Sequence, residues 1–245
     1  MSKRRLINNF IGLVAVLLLC STQVKAEQYR LVTGYLPPWS MLGNQQYPGF
    51  FVEIAREMVK RAGDDISVEV HPWGRAQTIA QTDANIVVFP MARLEHREKQ
   101  YQWIAPIKEM KMSFITVNGE KLQVQAAKKL SRVLVHQAAP PEMMLKKHGF
   151  KNLVPIHDIN PNVIRMMQYG RVDAWFTPLD MAKWMWKLTP NAPKATHGQP
   201  LTQHMLYVAA SLKTPKSVVG KLSAILEEMH GDGTIKKIIS RYRPN

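Results

Sequence analysis

Residues 29–63, YRLVTGYLPPWSMLGNQQYPGFFVEIAREMVKRAG, decide the fold class. Residues 29–34 carry the apolar and β-branched side chains of a strand. A Pro-Pro-Trp loop follows at residues 35–40. Residues 49–62 then read as a helix, because Phe50, Ile54, Met58 and Ala62 share one face and Gly63 supplies a stop. Residues 66–70 alternate like a second strand. Strand, loop, helix and strand in this order make the unit of an α/β fold with parallel strands.

The alternation continues outward. Residues 86–89, 112–117, 132–135, 172–176 and 206–211 read as strands. Residues 141–148 and 162–169 read as helices ended by Gly149 and Gly170, and residues 218–229 and 234–242 as closing helices. There is no repeat of solenoid period. In open α/β sheets ligands bind beyond the carboxyl ends of strands. Residues 35–40, 90–97, 136–141 and 177–180 are therefore expected at the mouth of a site. Such distant segments meet naturally in a cleft between two lobes.

The N-terminus reads as an export address. Lys3, Arg4 and Arg5 precede an apolar run over residues 10–20, and Val24-Lys25-Ala26 carries the small residues of a cleavage site. The run is short of the ~20 residues that a membrane span needs. Cleavage is expected after Ala26, which makes residues 1–26 a signal peptide and the mature protein periplasmic. Cys20, the only cysteine, leaves with it, so no disulfide or thiolate metal site is expected. The mature chain keeps 29 Lys+Arg against 18 Asp+Glu, a net charge of +11. These cations are dispersed and the chain is exported, so nucleic acid is not an expected partner. The eight His have no metal-ligand spacing, and there is no P-loop or G-x-S-x-G. No cofactor, metal or catalytic residue is called for.

The segments resemble, in order, the bacterial extracellular solute-binding proteins of family 3. The residues that carry the resemblance are GYLPPWS at 34–40, PWGRA at 72–76, MARLEHREKQYQWIAPI at 91–107, YGRVDAWF at 169–176 and the C-terminal run from Tyr207 to Tyr242. The resemblance implies a two-lobed periplasmic binding protein fold of type II, each lobe a mainly parallel sheet flanked by helices, with the ligand cleft between them. Lobe one would comprise residues 27–117 and 206–245, and lobe two residues 118–205, with crossings near Thr116-Val117 and Met205-Leu206. It also implies a monomer that captures a small anionic or zwitterionic solute for the membrane permease of an ABC importer.

Arg97 is the leading ligand contact. It stands six residues before Trp103, where the family places the guanidinium that clamps the ligand carboxylate. Its bland alternative is a surface ion pair with Glu95 or Glu98. Arg93 and Met91 precede it in the same segment, and Arg75 lies beside Trp73 as a second possible anion contact. Tyr35, Trp39 and Trp73 are candidate aromatic walls. From lobe two come His136, the amides of Ala138 and Ala139, Thr177 and Asp180. Three positions depart from the amino-acid binders. Ala92 replaces a small hydroxyl residue, 137–141 (QAAPP) replaces a Gly-Ser/Thr turn, and Pro178 stands where an Asp meets the ligand ammonium. These changes bear on the amino group more than on the carboxylate. Two other readings share the fold: a dehydratase acting on a cyclic carboxylic acid through His136, Glu142 or Asp180, and a sensory subunit that signals to a membrane partner.

Overall fold

The computed structural model describes residues 28–41, 46–117 and 119–242. The expected signal peptide, residues 1–26, lies outside the described residues. In chain order come β1 (Arg30–Gly34), α1 (Phe50–Ala62), β2 (Val68–His71), α2 (Trp73–Thr82), β3 (Ile86–Ala92), a 3-10 turn (Glu95–Arg97) and β4 (Tyr101–Val117). Next are α3 (Val124–Ala127), β5 (Val133–His136), α4 (Pro140–Lys147), β6 (Leu153–Ile156), α5 (Asn162–Gln168), β7 (Ala174–Pro178), α6 (Leu179–Lys187) and β8 (Ala195–His197). The chain ends with β9 (Thr202–Ser211), α7 (Lys216–Gly231) and α8 (Thr234–Ser240).

The strands run in the order β2-β1-β3-β9-β4-β7-β5-β6, with β8 also on β4. Pairing is parallel in the two wings, β2-β1-β3 and β7-β5-β6. It is antiparallel where β9 and β4 pass between them. Two wings joined by two long strands make the two-lobed form.

β4 changes partner along its length. β4 pairs with β9 from Tyr101 opposite Ser211 to Met112 opposite Thr202. From Met112 to Ile115 it pairs with β7 instead. Thr116 and Val117 already pair with Thr196 and Ala195 of β8, inside the second lobe's ladder. The strand begins at Tyr101, and only its end from Met112 is legible in the sequence, because the pattern before that point is interrupted. Pro106 has no N–H for the ladder, and register shifts fall at Trp103/Ala105 and Pro106/Lys108.

Three helices are not among the sequence expectations: the short α3, and α2 and α6, which border the site. α2 follows β2 directly, with Trp73, Ala76 and Ala80 buried. α6 follows β7 without a loop, so Thr177–Asp180 is a strand end and a helix start, not a mouth loop. Proline supplies the N-cap of each, Pro72 and Pro178.

The loop after β1 is held against α1. Phe51 N–H donates to the Trp39 carbonyl at 2.9 Å, and Gly49 N–H donates to the Tyr242 hydroxyl at 3.1 Å. Gly49 caps the helix at φ 103°, and a Cβ there would lie 2.5 Å from the Trp39 carbonyl oxygen. Below the loop, Phe51, Ile54 and Met58 bury against Leu31, Val32 and Phe89, all at most 0 % exposed.

Candidate ligand-binding cleft

The carboxyl ends of five strands converge on one pocket between the lobes. Lobe one contributes Leu36 and Trp39 from the loop after β1 and Trp73 from the start of α2. Pro90, Ala92 and Arg97 follow from β3 and the turn beyond it. Met110 and Leu206 come from the crossing strands. Lobe two contributes His136 from the end of β5, Ala139, Pro140 and Pro141 from the start of α4, and Pro178 and Met181 beside β7. The lobes are closed on one another, and the remaining cavity is about 30 Å³. That is room for water; an organic solute requires the lobes to part.

Arg97 is the one formally charged residue in this lining. It is 3 % exposed and forms no salt bridge among the described residues. Its protein acceptors are the Met91 sulfur (3.4 Å), the Ala92 carbonyl (3.3 Å) and Gln77 Oε1 (2.6 Å). A guanidinium has five N–H donors, so donors are left over. Burial lowers the Arg97 pKa, the mark of a cation removed from water without a counter-ion. Trp39 adds a second unsatisfied donor: the residue is 4 % exposed, and its Nε1–H has no acceptor among the described residues.

Gln77 links this arginine to the opposite lobe. Its Oε1 accepts from Arg97, and its Nε2 donates to the Ala138 carbonyl at 3.0 Å. The two bonds fix which way the amide points. Gln77 escaped the sequence reading, although it lies four residues after Trp73. Once residues 73–82 are known to be helical, that spacing puts both on one face. Gln77→Glu would give Arg97 a carboxylate of the protein's own and remove the donor to Ala138. Affinity for a carboxylate solute is then expected to fall about tenfold or more. Wild-type affinity in calorimetry would remove Gln77 from the closed cleft.

The other expected contacts divide. Trp39, Trp73, His136 and Ala139 line the pocket with Arg97. Met91 is fully buried behind it. Arg93 is outside the lining: it holds Glu98 through Nε (2.8 Å) and Nη2 (3.1 Å), between the rings of Trp103 and Tyr207 at 5.3 Å from each. Glu98 thus pairs with Arg93 and not with Arg97. Tyr35 is 43 % exposed, and Arg75 is exposed. Thr177 is buried, its hydroxyl on the Met181 sulfur. Asp180 pairs with Lys108 at 2.5 Å.

The amide of Ala138 is already in use. It donates to Glu142 Oε2 at 2.7 Å, and Glu142 Oε1 meets Lys146 at 2.7 Å. Burial would raise the Glu142 pKa, but these two bonds outweigh it and hold the carboxyl ionised, below its usual range. Ala138 adopts φ 54°, which turns its carbonyl to Gln77. His136 gives its Nε2–H to the His157 carbonyl at 3.1 Å, and burial lowers its pKa, which favours the neutral ring. No cluster of three or more His, Cys, Asp or Glu among the described residues could hold a metal. No helix among them is long and apolar enough to cross a membrane.

Fold and cleft together define a two-lobed solute-binding protein. Residues 31–245 match the bacterial extracellular solute-binding proteins, family 3, and the chain belongs to that family. Its fold is shared by a histidine kinase sensor domain with similarity to periplasmic binding proteins (TM-score 0.78, 14 % identity, 88 % of this chain and 96 % of that one). The arginine-, lysine-, histidine-binding protein of Geobacillus stearothermophilus is similar at TM-score 0.75 and 16 % identity, over 88 % and 95 % of the two chains. An ancestral amino acid-binding protein, a precursor of cyclohexadienyl dehydratase, is similar at TM-score 0.74 and 19 % identity, over 87 % and 94 %. A comparison with curated protein sequences returns no match.

Proposed function

We propose that the protein captures a small carboxylate-bearing solute between its lobes and presents it to the permease of an ABC importer. The buried Arg97 guanidinium, with spare donors and no acidic partner among the described residues, is the observation that carries this reading. A ligand carboxylate would complete a charge-assisted, two-pronged contact. Trp39 and Trp73 would flank the solute from lobe one, and His136 and Ala139 would close on it from lobe two. The lobe division carries over with the crossing near Met205-Leu206 kept and the other set at residues 108–112 on β4, which lie opposite residues 202–206 in the ladder. Export after Ala26 to the periplasm and action as a monomer belong to the same reading.

Binding is favoured over catalysis by the state of the acidic candidates. Asp180 is held by Lys108, Glu142 by Lys146 and the Ala138 amide, and neither lines the pocket. His136 alone borders it, and a lone imidazole supplies one proton-transfer group. A thermal-shift screen of the protein against organic acids, amino acids and amines tests the proposal. A carboxylate at 100 times its Kd should stabilise by about 2.7 kcal/mol. Stabilisation by amines and by no carboxylate would sink it.

A further inference from the structure

We infer that the solute is a monocarboxylate without an ammonium group: the cleft takes an acid with an apolar body and rejects the matching α-amino acid. This rests on the carboxylate reading and narrows it. The pocket is charge-asymmetric. Arg97 is its one formal charge, and its surroundings are Leu36, Met110, Leu206, Met181 and prolines. A monoanion brings the site to neutrality. A zwitterion leaves the positive charge of Arg97 uncancelled, and adds an ammonium that must give up water in the same enclosure.

An ammonium in such a place needs a carboxylate and further acceptors, since an unpaired buried charge costs several kcal/mol. The elements around the pocket do not provide them. Pro178, at the end of β7, has no carboxylate to offer the ammonium. Asp180 is two residues on and bound to Lys108 in a separate hollow with Pro38, Phe50 and Tyr242. Glu142 has one oxygen on Lys146 and the other on the Ala138 amide. His136 borders the pocket with its Nε2–H on the His157 carbonyl, and an imidazole carries no negative charge in either protonation state, so it brings no counter-charge to an ammonium. Two lining residues offer donors: Arg97, whose guanidinium has more N–H groups than its three protein acceptors take, and Trp39, whose Nε1–H has no partner among the described residues. A buried guanidinium with donors to spare and no carboxylate beside it favours an anion over a cation.

Matched pairs test this: propanoate with alanine, 4-methylpentanoate with leucine, and 3-phenylpropanoate with phenylalanine. Binding is read by calorimetry and by the fluorescence of Trp39 and Trp73. The acid of at least one pair is expected to bind, at least about tenfold tighter than its amino acid, and Arg97→Gln should abolish that binding. Equal or tighter binding of the amino acid would overturn this inference and leave the carboxylate reading standing. If no member of any pair binds, or binding survives Arg97→Gln, the carboxylate reading falls and this inference with it.

Discussion

Arg97→Met is expected to abolish capture of the carboxylate while leaving the empty protein about as stable as before. The two readouts separate because of what Arg97 does in the empty cleft. Its charge is buried, its pKa is lowered by that burial, and no acidic side chain among the described residues pairs with it. Replacing a buried charge by an apolar side chain of similar length is often neutral or stabilising. Against that gain stand the bonds lost to Gln77 Oε1, the Ala92 carbonyl and the Met91 sulfur. The two effects oppose, so the Tm should stay within a few degrees, where 1 kcal/mol corresponds to roughly 2–4 °C. The bound state has no such compensation. A ligand carboxylate left without its partner loses about 2–5 kcal/mol, roughly 30-fold or more in Kd. Near wild-type affinity in calorimetry would eliminate Arg97 as the clamp. A large drop in Tm would instead make it a structural residue of lobe one.

What the sequence reveals of this site follows from where each signal resides. Arg97 is legible through its distance from Trp103 within one continuous segment. Arg93 and Arg97 have the same chemistry and lie four residues apart, and composition cannot say which turns inward. The decision is made by Glu98 and Tyr207, which take Arg93, and the second of these comes from the other end of the chain. Ala138 illustrates a different limit. Its amide at a helix N-terminus looks available to an anion, yet Glu142, inside the same first turn, reaches back to it. That contact is local and could be anticipated, since an acidic residue at this position commonly bonds backward to the amides before the helix. The long central strand was hidden by Pro106 and its two register shifts, which break the alternation on which strands are recognised. Helix α6 was hidden because it follows β7 with no punctuating loop.

The fold's dependence on one glycine yields the other large effect. Gly49→Ala is expected to destabilise the protein by about 3 kcal/mol or more, roughly 6–12 °C in Tm. Two costs combine. At φ 103° and ψ 138° the backbone lies where L-residues are strained by about 1–3 kcal/mol. The new Cβ would also meet the Trp39 carbonyl oxygen at 2.5 Å and the Ser40 Cα and N at 2.6 Å. These are backbone atoms and cannot rotate away. The Trp39 carbonyl is moreover the acceptor for Phe51 N–H, so moving it loosens the first turn of α1. Gly63→Ala isolates the strain from the clash. Gly63 has φ 72°, and a Cβ there has nothing within 4 Å. It should cost only about 1–2 kcal/mol. Equal losses for the two variants would show that backbone conformation alone sets the requirement at Gly49. The expected larger loss at Gly49 would locate it in the approach of α1 to the Trp39 loop. Because Trp39 lines the cleft, Gly49→Ala should also weaken carboxylate binding in whatever fraction still folds, an effect Gly63→Ala should lack.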